Sequence, residues 1–269
     1  MNKEVTIGEV VSFLDATFRP ELQEDYDNAG FLLGESGRVY HGALVALDLT
    51  TAVVDEAIEK ECNLIVTHHP FIFSGLKRIT DHSETGRTVM RLIQNGIAVY
   101  AAHTNLDNLP WGVSGVLAEK LGLVDCKILK GEMKNEKGEC EVGAGIVGNL
   151  HEPKEMESVL MDIKRLLGCP VVRTTPYDSQ TVVRRIALCG GSGAEFIPDA
   201  MAARADLYLT ADLKYHDFQR GNGRIVLADA GHYETEQFAK DIIYRVISEK
   251  FSNFACRISE SQQSLVRYI

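Results

Sequence analysis

Four of the eight histidines fall in three short segments, and those segments carry the mixed nitrogen and oxygen donors of a transition-metal site. The first is Thr67-His68-His69-Pro70, directly after a continuous apolar run. Adjacent histidines leaving a strand point in different directions, so each can serve a different ion. Pro70 pushes the backbone of His69 toward an extended conformation, which fixes its aim. The second segment, His103-Thr-Asn-Leu-Asp107, adds a hard carboxylate oxygen. The third, Asp229-Ala-Gly-His232-Tyr-Glu-Thr-Glu236, starts a helix on which His232 and Glu236, four apart, share a face.

Taken singly, each segment has an ordinary alternative as loop histidines or a solvated helix face. Together they make the set His68, His69, Asp107, His232 and Glu236. Three imidazoles and two carboxylates are too few to enclose two ions, but they suffice for two open sites if a carboxylate bridges. Glu236 is the expected bridge. Such donors suit Zn, Fe, Mn or Co better than Ca or Mg. Two divalent ions against two carboxylates leave about +2 of local charge, and water at an open position loses a proton near neutral pH.

Other residues leave alternatives open. His103 is expected to carry protons or to orient a ligand, with a sixth ligand as the alternative. His216, in Lys214-Tyr215-His216-Asp217, either lines the same cleft or sits on a surface helix. His41, His82 and His151 lie in polar loops and are assigned nothing. Gly190-Gly-Ser-Gly193 follows a strand and precedes a helix. It can present amides to a phosphate, but it lacks a P-loop lysine and dinucleotide spacing, so a tight turn is expected.

These donors need strands that end beside one another. Segments at 43–48, 64–67, 97–102, 141–147, 182–188 and 207–210 read as strands, and Ile225 to Ala228 is an apolar run. Amphipathic stretches at 51–60, 84–94, 154–167, 196–203 and 237–247 read as helices, and Thr6-Ile-Gly-Glu9 has the spacing of a capping box. Gly96 and Gly168 are placed to end two of the helices. The alternation predicts an α/β protein with a largely parallel or mixed sheet faced by helices, and places functional residues at the carboxyl ends of strands.

The polar stretch 130–138 is expected to be a linker or hairpin tip. The expected division is 1–127 plus 225–269 as a first domain carrying the metal site, and 128–224 as a second. A faint repeat at an offset of 143 aligns strand-helix-strand units ending in Thr67 and Thr210, with Ala57 and Ala200 in register. The first copy is followed by His68-His69 and the second by Ala211-Asp212.

The chain has 269 residues and a formal net charge of −10, with 45% hydrophobic and 25% charged residues. It can bury a sizeable core. The acidic balance opposes sequence-independent binding to nucleic acid, and the cluster Arg165, Arg173, Arg184 and Arg185 has no aromatic interleaving. The longest apolar run, 97–102, is far short of the roughly 20 residues of a membrane span. No apolar signal core follows Met1, so a cytoplasmic location is expected. The cysteines at 62, 126, 140, 169, 189 and 256 form no C-x-x-C pair and are expected to be buried, reduced side chains.

Six segments together resemble the dinuclear-metal family known as GTP cyclohydrolase 1 type 2 homologues, or NIF-three-like proteins. They are Asp27-Asn-Ala-Gly30, Thr67-His-His-Pro70, His103-Thr-Asn-Leu-Asp107, Cys189-Gly-Gly-Ser-Gly193, Leu209-Thr-Ala-Asp-Leu-Lys-Tyr-His-Asp217 and Asp229-Ala-Gly-His-Tyr-Glu-Thr-Glu236. The resemblance covers nearly the whole chain. It implies two similar three-layer α/β/α domains, a ring-shaped homohexamer, and two divalent ions (Zn, Fe or Mn) held by His68, His69, Asp107, His232 and Glu236.

Longer members carry an inserted domain, for which this chain has no room between Val124 and Ile186. Leu109-Pro-Trp111 departs from the small residues usual there, which bears on the pocket rim. The implied activity is hydrolytic opening of the imidazole ring of GTP, with His103 or His216 moving protons to the leaving nitrogen. A metal-dependent phosphoesterase and a non-catalytic metal-binding or regulatory interaction protein are the alternatives. The implied partner is a nucleotide or another phosphate-bearing small molecule, with neither a membrane nor nucleic acid.

Overall fold

The computed structural model describes residues 4–131, 138 and 140–269. The expected linker at 130–138 lies almost wholly outside the described residues. In chain order the strands are β1 (Gly30–Leu33), β2 (Gly42–Ala46), β3 (Leu64–Thr67), β4 (Ala98–Ala101), β5 (Leu123–Lys130), β6 (Ala144–Glu155), β7 (Arg173–Thr174), β8 (Val182–Ser192), β9 (Leu207–Ala211), β10 (Val226–Asp229) and β11 (Ala255–Ile258). Two mixed sheets result, with orders β1-β4-β3-β2-β11 and β5-β6-β8-β9-β10-β7.

The chain divides into two compact units. The first runs to Leu106 and takes in Ala239–Gln263, and the second holds Asp107–Phe238 and Ser264–Ile269. These boundaries differ from the division at 127/128 and 224/225. Residues 107–127 join the second unit because β5 pairs with β6, and the helix Val113–Lys120 packs on β5, β6 and β8. Residues 225–238 join it because β10 pairs with β9, and the helix His232–Glu236 packs on β8 and β9.

In the first unit β2, β3 and β4 are fully buried and parallel, so their sequences read as unbroken apolar runs rather than alternating ones. Leu44, Ala46, Ile65 and Val99 pack with Val53, Val54 and Ala57 of the helix Thr51–Glu59 and with Leu92 of the helix Glu84–Gln94. Helix Ile7–Phe18 begins with the predicted capping box, in which Thr6 Oγ1 accepts from the Glu9 amide and Glu9 Oε2 accepts from the Thr6 amide. Asp15 on that helix accepts a 2.9 Å hydrogen bond from the buried Tyr100 hydroxyl of β4. Gly96, at φ 63°, ends the helix before β4 as expected.

In the second unit β8, β9 and β10 are parallel, and β5, β6 and β7 complete the sheet antiparallel. One core groups Ile146, Ile186, Leu188 and Leu209 with the helix Met156–Leu167. A second groups Val147, Ala187 and Tyr208 with Ile197 and Ala200. Alternate residues of one strand feeding separate cores is the period-two rule for a sheet covered on both faces. Gly168, at φ 66°, caps the helix Met156–Leu167.

Some boundaries shift from expectation. β6 continues to Glu155 and β8 to Ser192, and the helix expected at 237–247 is resolved into His232–Glu236 and Ala239–Lys250. Cys62, Cys169 and Cys189 are buried as expected, whereas Cys126 is exposed and Cys140 and Cys256 are half-buried. Cys126 lies on β5, an edge strand whose residues are mostly exposed. No described helix is long and apolar enough to cross a membrane.

Candidate metal centre

Parallel strands place all their carboxyl ends on one side of a sheet. In the first unit three neighbouring strands use this. β4 is followed by Ala102-His103, β3 by His68-His69, and β2 by Leu47-Asp48. The three imidazoles gather: ring centroids lie 5.0 Å apart for His68 and His69, 5.3 Å for His68 and His103, and 5.6 Å for His69 and His103. One ring nitrogen from each lies within 4.8 Å of the others, close enough to share a metal site.

Each ring is aimed by an oxygen behind it. His68 Nδ1 lies 2.7 Å from the carbonyl of Ala102, His69 Nδ1 2.7 Å from Asp48 Oδ1, and His103 Nδ1 2.8 Å from Asp27 Oδ1. A carbonyl or carboxylate oxygen only accepts, so Nδ1 donates in all three cases and Nε2 is left as the ligating or proton-accepting nitrogen. Burial alone would push the Asp27 carboxyl up. Hydrogen bonds from His103 and Thr104, with the charge of His103, outweigh it and hold it at about 2. Asp27 is therefore a carboxylate that fixes the His103 ring.

The second unit repeats the device at the ends of β9 and β10. Asp212 follows β9, and Gly231, at φ 92°, turns the chain after β10 into the helix His232–Glu236. His232 Nδ1 lies 2.7 Å from Asp212 Oδ2 and its Nε2 lies 2.9 Å from Glu236 Oε2. Burial would lower the His232 pKa, but Glu236 and then Asp212 outweigh it and raise it to about 9. Cation binding at this pair must displace that proton.

Carboxylate oxygens of Asp107 and Glu236 lie within 4.8 Å of each other. The Cys189 thiol is pushed up by its burial and then by Asp107 and Glu236. It stays protonated beside two carboxylates, which concentrate negative charge where a cation would be welcome.

Gly190-Gly-Ser-Gly193 packs against Glu236 of this pair. Gly191 sits at φ 66°, and a Cβ there would overlap Glu236 Oε1. Its amide donates to Thr235 Oγ1 at 3.0 Å and that of Gly190 to Ser114 Oγ at 3.2 Å. The loop is a cradle that lets the Glu236 carboxylate close against backbone.

The sequence-predicted donors thus divide between the units. His68, His69 and His103 gather in the first, and in the second Glu236 lies against His232 and has a carboxylate oxygen within 4.8 Å of one of Asp107. His216 joins neither group among the described residues. It is exposed on the helix Tyr215–Gly221, with Nδ1 3.3 Å from Gln219 Oε1. Lys214 is exposed at the start of that helix, and Trp111 is 38% exposed. Arg173 pairs with the buried Asp229, and Arg165 with Asp162.

The sequence alone assigns no role to the orienting acids Asp27, Asp48 and Asp212. Asp48 and Asp212 did carry a signal, since each is an acid within two residues of the end of a buried parallel strand.

A family model described as Duf34/NIF3 (NGG1p interacting factor 3) matches residues 5–264. A protein of Nostoc sp. named GTP cyclohydrolase 1 type 2 homolog is 36% identical over 242 residues, covering 87% of this chain and 88% of the relative. A Clostridium acetobutylicum protein of the same name is 35% identical over 218 residues, covering 80% and 79%. A hypothetical protein of Staphylococcus aureus of solved structure superposes with a TM-score of 0.90 at 28% identity, covering 99% of this chain and 100% of that one.

Proposed function

The chain belongs to the Duf34/NIF3 family, and on that footing we propose that it is a hydrolase dependent on divalent metal that opens the imidazole ring of a purine nucleotide, GTP being the first candidate. The observation that carries the proposal is the common arrangement of four histidines. Each has Nδ1 tied to an oxygen, and the other ring nitrogen of His232 lies 2.9 Å from Glu236 Oε2. Metal-ligating histidines are held in this way, and ordinary loop histidines have no need of it.

The residues that would hold two ions are His68, His69, Asp107, His232 and Glu236, with Glu236 shared. Their nitrogen and oxygen donors fit Zn, Fe or Mn. The chemistry supplied at such a centre is polarisation of a bound oxygen and a water acidic enough to lose a proton near neutral pH.

In the reaction, water adds to the carbon between the two imidazole nitrogens, one carbon–nitrogen bond breaks, and the departing nitrogen takes a proton. His103, backed by the Asp27 carboxylate, holds and delivers that proton at Nε2. His216, exposed on its helix and outside both donor groups, is the alternative carrier of that proton. Phe73, half exposed, meets His103 edge-on at 6.4 Å and lies 6.4 Å from the exposed Tyr26 ring. This aromatic pair beside the proton carrier supports a planar ring as substrate. The enzyme is proposed to work as a homohexamer in the cytoplasm.

The test is incubation of metal-replete protein with GTP, followed by mass and absorbance of the product. A product heavier by one water, lost in Glu236→Ala, is expected. Absence of turnover of GTP and other nucleotides with Zn, Fe and Mn would sink the proposal. Phosphate release with the ring intact selects a phosphoesterase instead, and ready metal exchange without turnover selects a metal-binding interaction protein.

A further inference from the structure

We propose that residues 259–262 form a positioning strap that sets the direction of the His69 ring, acting through Asp48. The inference rests on the proposed metal site only in giving that ring a purpose. β11 lies beside β2 in parallel register, with Ile258 opposite Val45. The chain beyond it stays at the carboxyl end of β2, where the Ser259 amide donates to the Val45 carbonyl at 2.8 Å.

Two side chains lock it there. Glu56, 9% exposed on the helix Thr51–Glu59, accepts from Ser259 Oγ at 2.6 Å, the Glu260 amide at 3.0 Å and the Ser261 amide at 3.1 Å. It also accepts from Ser261 Oγ. Burial would push the Glu56 carboxyl up, but these donors outweigh it and hold it at about 2, so the latch is an anion over the whole neutral range.

Gln262 then reaches the site. It is 8% exposed, its Oε1 accepts from the Leu47 amide, and its Nε2 donates to Asp48 Oδ2 at 3.0 Å. The amide cannot be reversed, since that would set an NH2 against an N–H and an oxygen against a carboxylate. Asp48 Oδ1 is the acceptor for His69 Nδ1. Both oxygens of one half-exposed carboxylate are therefore spoken for, one by the strap and one by the imidazole. Fixing the carboxylate plane from one side fixes the ring on the other. Gln262 is a positioning residue: it acts on the ring through Asp48, an acid 214 residues away in the chain.

The test uses the full chain with zinc alone as probe. Wild type, Gln262→Leu and Glu56→Gln are compared by zinc titration and by ring-nitrogen NMR of His69 in metal-free protein at a pH where the ring is neutral. His69→Gln assigns the signal. Wild type should show the Nδ1–H tautomer. In Gln262→Leu the signal should move toward a mixture of tautomers, and one of two zinc-binding steps should weaken by about tenfold to a hundredfold while the other holds. Glu56→Gln should shift both readouts the same way by less, and it carries the test if Gln262→Leu does not fold.

Unchanged His69 nitrogen shifts in the folded variants overturn the strap, whatever the metal data show. A wild type that takes up no zinc, iron or manganese overturns the proposed function instead, and leaves the NMR comparison to decide the strap.

Discussion

The two units share one strand-helix-strand frame and use it for different chemistry. At the offset of 143 residues the strand registers coincide. Leu44 pairs with Ile65 and Val45 with Val66 in the first unit, as Ala187 pairs with Tyr208 and Leu188 with Leu209 in the second. Ala57 and Ala200, in the two intervening helices, are both fully buried. The parallel positions then diverge at the strand ends. His68-His69 follows β3, whereas Ala211 closes β9 and Asp212 follows it.

In the first unit the residues after the strand are the ligand candidates, and an acid from the neighbouring strand end aims His69. In the second the residue after the strand is the aiming acid, and the imidazole it aims arrives on the next helix. A frame of this kind fixes where side chains emerge, and two or three residues past each strand decide what they do.

The comparison can be broken most severely at Glu236. Glu236→Ala should abolish metal retention and lower kcat/KM by about a thousandfold or more, on the order of 4 kcal/mol of transition-state stabilisation. His232→Ala and His69→Ala with comparable losses would show that the second unit's pair and the first unit's histidine trio are equally essential.

Acid titration separates the units next. The Glu56 carboxyl of the first unit ionises at about 2, below its ordinary value of 4.5. A depressed carboxyl contributes stability that is complete above its unfolded pKa and is lost as pH falls toward its folded pKa. Wild type should therefore lose on the order of 2–3 kcal/mol between about pH 4.5 and 2 that Glu56→Gln never had. Unfolding curves across that window should converge at the acid end, and parallel curves would refute the assignment.

Gly191→Ala probes the second unit's cradle. Positive φ together with the overlap onto Glu236 should cost about 1–3 kcal/mol in thermal unfolding and loosen metal binding.

A closer comparison sets Asp48→Asn against Asp212→Asn, the acids that aim one imidazole in each unit. Each should weaken metal binding by about tenfold to a hundredfold without changing the number of ions bound. Equal effects mean that the two units aim their ligands equally well. The smallest effect belongs to the first unit alone. Phe73→Ala should raise KM for the nucleotide by about fivefold to tenfold, roughly 1 kcal/mol, and leave kcat nearly unchanged.

Much of the fold was legible because its causes are local. Strands buried on both faces are unbroken apolar runs, so β2, β3, β4 and β9 could be placed to within a residue or two. The capping box at Thr6 and the glycines at 96 and 168 act within a single turn. The unit boundaries were harder to place. The stretch 107–127 reads as a continuation of the first unit until β5 is seen paired with β6, a contact no local pattern announces. The glycine run at 190–193 looks like a generic turn until the Glu236 carboxylate is found against Gly191, 45 residues later in the chain.

By itself the sequence determined the kinds of donor and the strand ends that carry them. Donor chemistry belongs to a side chain, and strand position follows from the period of apolar residues. Only the tertiary structure decided which nitrogen of each ring is offered. That choice is made by the oxygen behind the ring, and those oxygens lie 34, 21, 76 and 20 residues away from His68, His69, His103 and His232. Hydrogen bonds between groups that distant exist only once the sheet has formed: parallel strands bring the carboxyl ends together for His68, His69 and His232, and for His103 the antiparallel β1 brings in Asp27 just before its start.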